Sequence, residues 1–299
     1  MLEARIKLEN LLELNVRYSE ANDKPTLLFL HFSGGTSRMW DGVIPLLKDE
    51  YRIIAPDLRG HGKSDRPITG YHIDQFAHDL YLLLQELGIR TCHVIGSSMG
   101  AEIGLSLAVS HPDLVLSLVC EGAIYNEFGE FGIFNGSDEE MTAEKNSLLT
   151  QLESRKLPVY QSKTDFIEEA KAPLVEQGIW NDHFLSFFES CMEDLADGCF
   201  VHFYKNHVRT EYIQKYWDLK FEEYYKRVTC PILFLPSQEE WSDPKIRHSL
   251  YYFASLVDDN EIYTIADSIH AYVWMQLPDK VIEVVKSFIN KVKIGEEQV

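Results

Sequence analysis

The sequence predicts an α/β fold in which a mostly parallel central sheet has helices on both faces and a helical cap is inserted into the chain. In the first third of the 299 residues, short apolar runs alternate with segments of helical periodicity. Such alternation is typical of the strands and crossover helices of a parallel sheet. A helix-rich stretch then interrupts the alternation, which resumes near Pro231. The length is sufficient for one large α/β domain with an insertion.

The first part of the predicted core covers residues 1–121. Residues 11–18 alternate apolar and polar side chains, as a strand with one exposed face does. Residues 26–32 form a short apolar run that ends near Gly34 and Gly35, which predicts a buried strand followed by a tight turn. Further strands are predicted over residues 51–55, 91–95 and 114–120, and helices over residues 71–87 and 99–110. Gly88 is placed to end the first of these helices.

The predicted cap covers residues 122–228, and the second part of the core covers residues 229–299. The cap is rich in aromatic and acidic residues, and its helices are predicted over residues 138–152, 163–177, 182–195 and 210–227. In the second part of the core, strands are predicted over residues 231–235 and 261–265, and helices over residues 245–256 and 278–291. We expect the sheet to supply a rigid base and the cap to form the substrate pocket.

The composition limits the partners of this chain. It contains 28 basic and 47 acidic side chains, and the net charge of −19 repels phosphate backbones and anionic lipid. Nucleic acid and membranes are therefore disfavoured, and a small-molecule substrate is the expected partner; the sequence makes no prediction of oligomeric state. The N-terminus lacks the apolar run of a signal peptide, and the five scattered cysteines include no CxxC. These features predict a cytoplasmic protein without disulfides or a zinc site.

Residues 96–100 (GSSMG) form the most informative motif in the chain. They fit G-x-S-x-G between a predicted strand and a predicted helix, which is the context in which this motif holds a nucleophilic serine. The glycines relieve close contacts at the sharp turn, and the turn lifts the hydroxyl of Ser98 above the sheet. It also places the amide of Met99 at a helix N-terminus, where the dipole favours a developing oxyanion. Ser97 fits less well, because Ile95 would then replace the first glycine.

With two further stretches, this motif resembles the α/β-hydrolase family, in its capped group of carboxylesterases, lipases, carbon–carbon bond hydrolases, epoxide hydrolases and haloalkane dehalogenases. Residues 31–35 (HFSGG) resemble the oxyanion-hole loop, and residues 57–64 (DLRGHGKS) resemble a D-x-R-G-H-G-x-S stretch whose usual role is structural. The resemblance covers roughly residues 11–121 and 229–291. It implies that Ser33 and Met99 donate the two oxyanion-hole amides, although Phe32 stands where the family usually has glycine.

The family order of serine, acid and histidine implies a base in the loop after the last strand. His270 lies there, and it is the only histidine beyond residue 248. The resemblance places the acid after the strand at residues 231–235, where Glu240 occupies the matching position and Ser237 replaces a usual glycine. Three other carboxylates remain open as the acid: Glu121 at the end of the strand before the cap, and Glu239 and Asp243 beside Glu240.

The resemblance implies a serine hydrolase that cleaves a small carboxylic ester through an acyl-enzyme, with no metal or organic cofactor. Family epoxide hydrolases and dehalogenases use an aspartate nucleophile, so Ser98 disfavours both reactions. One alternative is a carbon–carbon bond hydrolase acting on a diketone, for which Arg209 would serve as the cap arginine, although Ala271 stands where an aromatic residue is usual. Another is a small-molecule receptor that retains the triad.

The aromatic residues of the cap have two interpretations. They line an apolar acyl pocket, or they form the core of the cap itself, and we expect most of them to form that core. These residues are Phe184, Phe187, Phe188, Phe200, Phe203, Tyr204, Tyr212 and Trp217. No individual substrate-binding residue is predicted among them.

Overall fold

The N-terminal part of the chain alternates strands and helices, in agreement with the sequence analysis. The structure is a computed structural model that describes residues 1–296 and the side chains of residues 1–292. Gly88 follows the first helix with φ 65°, a left-handed conformation that glycine adopts without strain. The elements of residues 1–121 are β1 (Leu2–Lys7), β2 (Glu13–Tyr18), β3 (Thr26–Leu30), β4 (Arg52–Pro56), α1 (Ile73–Glu86), β5 (Cys92–Ser97), α2 (Met99–Ser110) and β6 (Val115–Glu121). Two short 3-10 helices, Ser37–Trp40 and Ile44–Leu46, lie between β3 and β4.

Residues 122–228, which we call the insert, contain helices together with short strands that the sequence analysis did not predict. The strands form a two-stranded and a three-stranded sheet. The elements of the insert are β7 (Asn126–Phe128), β8 (Gly132–Phe134), α3 (Asp138–Ser154), β9 (Val159–Tyr160), α4 (Lys163–Glu176), α5 (Asp182–Ser190), β10 (Met192–Asp194), β11 (Phe200–His202), α6 (Asn206–Tyr216) and α7 (Phe221–Tyr225).

Two predicted helices of the insert end differently in the structure. The helix predicted over residues 182–195 ends at Ser190, because the chain continues into β10 and reverses to pair with β11. Gly198 has φ 83° in this reversal, and the Asp197-Gly198 pair is a hairpin-turn signal that outweighs the helical periodicity. The helix predicted over residues 210–227 is interrupted, so that α6 and α7 are separate.

The remaining part of the chain completes the main sheet. Its elements are β12 (Ile232–Phe234), α8 (Gln238–Ser242), α9 (Pro244–Ser255), β13 (Asn260–Ile262), α10 (Val273–Gln276) and α11 (Pro278–Glu296). The eight strands lie in the order β1-β2-β4-β3-β5-β6-β12-β13, and every pair from β4 to β13 is parallel. The pairs of β2 with β1 and with β4 are antiparallel. This topology confirms the predicted mostly parallel sheet.

The centre of the sheet is also the centre of the hydrophobic core. All residues of β3 and β5 are buried, as expected for parallel strands covered on both faces. The register pairs Ser97 with Glu121 at the end of β5 and β6, and Phe234 with Cys120 at the end of β12. The loops that follow these strands therefore meet at one edge of the sheet, where ligands bind in open α/β sheets. None of the helices within residues 1–296 has the length and apolarity needed to cross a bilayer.

Candidate active site

Ser98 occupies a strained turn between β5 and α2. Its backbone has φ 51° and ψ −119°, a conformation that L-residues adopt only when their surroundings impose it. A side chain on Gly96 would lie 2.5 Å from the backbone of Ala101, and one on Gly100 would overlap the carbonyl oxygen of Leu30. Both glycines of the motif are therefore required by close packing of the turn against α2 and β3. Ser98 thereby lines a large cavity.

Two backbone amides lie where the sequence analysis places the oxyanion hole. Met99 is the first residue of α2, so its amide has no partner inside the helix and lies at the positive end of the dipole. Ser33 lies in the loop after β3 and lines the same cavity as Ser98. Neither amide donates a hydrogen bond to another residue among those the structure describes. Both are therefore free to bind an oxygen of a ligand.

The loop around Ser33 is held by a contact with the insert. The hydroxyl groups of Ser33 and Tyr204 lie 2.7 Å apart, and the ring of Tyr204 packs over Gly34, whose φ is 83°. The side chain of Phe32, which replaces the family's usual glycine, packs against the ring of Phe187. The phenylalanine at position 32 therefore has a structural role, because these contacts join the loop to the insert.

His270 lies between two carboxylates. Its Nδ1 is 3.1 Å from Oε1 of Glu121 and 3.1 Å from Oε1 of Glu240. Glu121 is buried at the end of β6, and Glu240 is buried in the short helix α8. The structure thus brings together His270, the favoured acid and one of the alternative acids. A single Nδ1 proton faces both carboxylates, which leaves Nε2 of the ring as the proton acceptor.

Further hydrogen bonds fix each glutamate. Glu121 accepts from the amide of Ala271 at 2.6 Å and from the hydroxyl of Ser97 at 2.5 Å, and the indole of Trp274 donates to it at 3.3 Å. Glu240 accepts from the amide of Ser237 at 2.8 Å in a capping box. Ser237, which replaces the usual glycine, is therefore the N-cap of the helix that carries Glu240.

The other two carboxylates do not reach His270. Glu239 is exposed on the outer side of α8. Asp243 is the N-cap of α9, where its side chain accepts from the amides of Lys245 and Ile246. Asp243 therefore caps a helix and does not contact the imidazole.

The two carboxylates shift the proton affinity of the imidazole. Burial opposes the charged form of His270, but the negative charges of Glu121 and Glu240 outweigh burial and raise its pKa well above the ordinary value. Burial likewise opposes ionisation of Glu240, but its contact with His270 outweighs burial, so its pKa is lowered. The pair is therefore stabilised as carboxylate and imidazolium.

Ser98 and His270 are connected through Glu121. The amide of Ser98 donates to the carbonyl of Glu121, whose side chain contacts His270. Among the side chains that the structure describes, no hydrogen bond joins the hydroxyl of Ser98 to the imidazole. Such bonds are often long in unliganded enzymes and tighten when substrate binds.

The cavity at Ser98 has a volume of about 920 Å³ and lies between the sheet edge and the insert. Five of the eight aromatic residues singled out from the sequence line it, and the other three do not. The lining residues of that set are Phe187, Phe188, Tyr204, Tyr212 and Trp217. The insert therefore supplies much of the wall that a substrate at Ser98 would contact.

Glu102 is a cavity residue that the sequence analysis did not identify. It lies one turn after Ser98 in α2, is 4% exposed, and accepts a hydrogen bond from the Tyr212 hydroxyl at 2.9 Å. Burial raises the pKa of Glu102 to about 8, against the opposing effects of Tyr212 and His270. Its spacing of four residues from Ser98 on an apolar helix was the available signal.

Glu102 should make stability depend on pH. In the unfolded chain this carboxyl ionises near its ordinary pKa of about 4.3, whereas the folded protein retains the proton until about pH 8. The folded state binds more protons between these values, so its stability is greatest below about pH 4.3 and decreases as pH rises to about 8. Glutamine at position 102 does not ionise, so Glu102→Gln removes this decrease in stability, and the glutamine side-chain oxygen can still accept the hydrogen bond from Tyr212.

We therefore expect the difference in melting temperature, Glu102→Gln minus the unmodified protein, to become more positive as pH rises from 5 to 9. Thermal unfolding across this range measures the effect. Glu86→Gln, at an exposed position of α1, is the matched control and should give a constant difference. A constant difference for Glu102→Gln as well would mean that Glu102 is ionised in the folded protein at neutral pH.

Residues 57–64 form structural contacts, in line with the role that the resemblance implies for this stretch. Asp57 is buried and accepts from the amides of Ser37 and Lys63. Arg59 forms a buried ion pair with Asp79 at 2.6 Å. These residues hold loops of the sheet edge together and do not line the cavity at Ser98.

The chain belongs to the α/β hydrolase fold family. The family model described as alpha/beta hydrolase fold matches residues 25–271, which confirms the resemblance found in the motifs. The match includes the turn at Ser98, both glutamates that contact His270, and His270 itself.

Two curated relatives illustrate the similarity. The chain is 40% identical to a putative carbamate hydrolase, RutD, of Stutzerimonas stutzeri over 98 residues, which are 32% of this chain and 37% of that protein. It is 38% identical to the 2-(acetamidomethylene)succinate hydrolase of Mesorhizobium japonicum over 106 residues, which are 36% of this chain and 37% of that protein. The chain thus spans about a third of the length of the curated relatives it matches.

Solved structures show the same fold over nearly the whole chain. The crystal structure of E-2-(acetamidomethylene)succinate hydrolase superimposes with a TM-score of 0.77 at 22% identity, covering 97% of this chain and 99% of that one. A thioesterase domain from the curacin biosynthetic pathway gives a TM-score of 0.74 at 16% identity, covering 96% and 99%. The fold is therefore shared well beyond the segment of high sequence identity.

Proposed function

We propose that the protein is a serine hydrolase that cleaves small carboxylic esters, with Ser98 as nucleophile, His270 as base and Glu240 as the acid. Two observations carry this proposal: Ser98 occupies a strained turn that lines the cavity, and Nδ1 of His270 faces two buried carboxylates. We further propose that the insert is a cap over a core of residues 1–121 and 229–299. A cytoplasmic location is supported by five cysteines that are all free thiols.

In the proposed reaction, the Ser98 hydroxyl attacks the ester carbonyl while Nε2 of His270 accepts its proton. The negative oxygen of the tetrahedral intermediate binds the amides of Ser33 and Met99. The intermediate expels the alcohol, which takes the proton from His270, and an acyl-enzyme remains. A water molecule then attacks the acyl group and gives its proton to His270, which returns it to Ser98 as the acid leaves.

Dehalogenation, another reaction found in the family, is not supported by the residue at the turn. One relative is named a fluoroacetate dehalogenase, and it is 38% identical over 99 residues. Position 98 is serine here, whereas the dehalogenases of this family use aspartate as nucleophile. Relatives named as hydrolases of a carbamate and of an acetamidomethylene succinate support attack on an acyl carbon instead.

Labelling with a fluorophosphonate probe tests the proposed nucleophile. We expect mass spectrometry to find the probe on Ser98, and Ser98→Ala to abolish labelling. Ser110→Ala, at an exposed position of the same helix, is the control and should label normally. Absence of labelling in the unmodified protein, or labelling of another residue, would contradict the proposal. Nitrophenyl esters assayed beside a ring-cleavage diketone then separate ester cleavage from carbon–carbon cleavage.

The cluster at His270 also has the donor atoms of a metal site. Ligand atoms of Glu121, Glu240 and His270 lie within 4.8 Å of one another. In the proposed mechanism the Nδ1 proton occupies the space between them, so a cation is not needed. We expect ester hydrolysis to be unchanged after dialysis against EDTA, and restoration of a lost activity by Zn²⁺ would instead assign the cluster to metal binding.

A further inference from the structure

Two arginines of the insert line the same cavity as Ser98 without an acidic partner. Arg155 follows α3 and Arg209 lies in α6, and both are half-buried. Among the side chains that the structure describes, neither forms an ion pair. Arg155 donates only to the carbonyl of Tyr204 and to Asn206, both at 3.3 Å, and the guanidinium of Arg209 has no hydrogen-bond partner there.

Several other arginines that are at least partly buried form ion pairs, whereas Arg52 and Arg247 donate only to backbone carbonyls and lie outside the cavity. Arg17 contacts Asp41, Arg59 contacts Asp79, and Arg66 contacts Glu193. The chain contains 47 acidic and 28 basic residues, so acidic partners are abundant. Burial of an unpaired guanidinium is costly, and a folded chain ordinarily avoids it. Arg155 and Arg209 differ from the other unpaired arginines because both line the cavity at Ser98, and this location indicates that a ligand supplies the missing negative charge.

The surroundings of the two arginines leave their charge uncompensated. They lie close enough that, after burial, the charge of Arg209 is the main factor that lowers the pKa of Arg155. The neighbouring His202 adds no negative charge, and burial and Arg155 lower its pKa to about 4. Glu102 and Glu127 also line the cavity, but neither pairs with an arginine, and burial raises the pKa of both.

Tyr204 connects the arginines to the reacting atoms. Its hydroxyl lies 2.7 Å from the hydroxyl of Ser33 in the oxyanion loop, and its carbonyl accepts from Arg155. Tyr204 therefore contacts both the loop that would hold the substrate oxygen and one of the arginines at the positive end of the cavity. A ligand with its carbonyl at Ser98 could extend along Tyr204 to reach both guanidinium groups.

We propose that Arg155 and Arg209 bind a carboxylate of the substrate, so that the preferred esters are monoesters of dicarboxylic acids. The planar guanidinium matches a carboxylate in two parallel hydrogen bonds, and a partly buried pair of arginines strengthens such bonds. The free carboxylate lies between the arginines, and the esterified carboxyl lies at Ser98. The assignment of the substrate class rests on the proposed role of Ser98, whereas the anion site itself does not.

Kinetics with matched esters tests the substrate class. Monomethyl esters of glutaric and adipic acid are compared with methyl pentanoate and methyl hexanoate, and acid release is followed by titration at constant pH. We expect at least one diacid monoester to have a kcat/KM about tenfold or more above its neutral counterpart, chiefly through a lower KM. Arg155→Met and Arg209→Met should each reduce this preference.

Arg227→Met, at an exposed position outside the cavity, is the matched control and should retain the preference. Circular dichroism and melting temperatures establish that each variant folds. Equal turnover of the charged and neutral esters, or a preference that survives in the Arg155→Met/Arg209→Met protein, would overturn the proposal.

A binding experiment separates this proposal from the proposed function. Monomethyl adipate is titrated calorimetrically into Ser98→Ala protein and into the same protein carrying both arginine substitutions. We expect the double substitution to weaken binding at least about tenfold. If binding depends on the arginines but no ester is hydrolysed, the anion site stands and the hydrolase proposal fails. If neutral esters are hydrolysed but arginine-dependent binding is absent, the hydrolase proposal stands and the anion site fails.

Discussion

Ser98→Ala should lower kcat/KM for 4-nitrophenyl butyrate by roughly 10⁴–10⁶-fold, because in the proposed mechanism the hydroxyl forms the acyl-enzyme. His270→Ala should cause a loss of the same order, since the hydroxyl is a weak nucleophile without its base. Residues that act as one unit do not contribute additively, so the double variant should be about as inactive as either single variant. Steady-state rates with enzyme titrated by weight measure all three effects.

The backbone at Ser98 provides a control for folding in this series. Alanine retains the strained φ of 51°, so Ser98→Ala should fold with a melting temperature near that of the unmodified protein. Glycine adopts such a conformation without strain, and Ser98→Gly should therefore be inactive and more stable. An active Ser98→Gly protein would show that the chemistry does not use this side chain.

Glu121→Gln and Glu240→Gln should each shift the acidic limb of the pH profile of kcat/KM to lower pH. Both carboxylates raise the pKa of His270 above the ordinary 6.5, and the imidazole must be neutral to accept the proton of Ser98. In the unmodified protein, activity should therefore appear only as pH rises well beyond 6.5. Removing one negative charge lowers the pKa of His270, and the rate at low pH should rise relative to the plateau.

The plateau rates of the same two variants should show that each carboxylate can partly replace the other. Amidation of the only acid in a serine triad costs roughly 10⁴-fold, because the imidazole takes the wrong tautomer. Here the remaining carboxylate still lies 3.1 Å from Nδ1, so we expect each single variant to lose about tenfold and the double variant to lose roughly 10³–10⁴-fold. The measurement is a pH–rate profile for all three proteins.

Glu239→Gln is the matched control for this series, because Glu239 is adjacent to Glu240 but exposed. It should leave both the position of the acidic limb and the plateau rate unchanged. A full loss of activity in Glu121→Gln together with an unaffected Glu240→Gln would assign the acid to Glu121 alone. In that case the contact of Glu240 would serve only to cap α8.

The sequence was sufficient for the parts of this protein that depend on local pattern. The apolar run of β5, the G-x-S-x-G turn and the apolar helix α2 are contiguous, so their periodicity predicts the strained turn at Ser98. His270 follows from the order of elements in the resemblance. The sequence could not show that Glu121 and Glu240 reach the same imidazole, because that depends on how the ends of β6 and β12 align in space.

The insert was harder to predict for a physical reason. The helices α3, α4 and α6 have weak apolar faces, and turn residues at single positions decide where helices of the insert end. The Asp197-Gly198 reversal converts the end of one predicted helix into a hairpin. Arg155 and Arg209 come from distant parts of the sequence of the insert, so no local pattern predicts that they line the same cavity.

Glu121 has a consequence for how substrate range and reactivity can change independently. Its carbonyl binds the amide of Ser98, and its side chain binds the amide that follows His270. One residue of the sheet thus contacts the backbone at Ser98 and the backbone next to His270, and neither contact involves the insert. Walls of the cavity can therefore be redesigned in α3 and α6 while both of these contacts are kept.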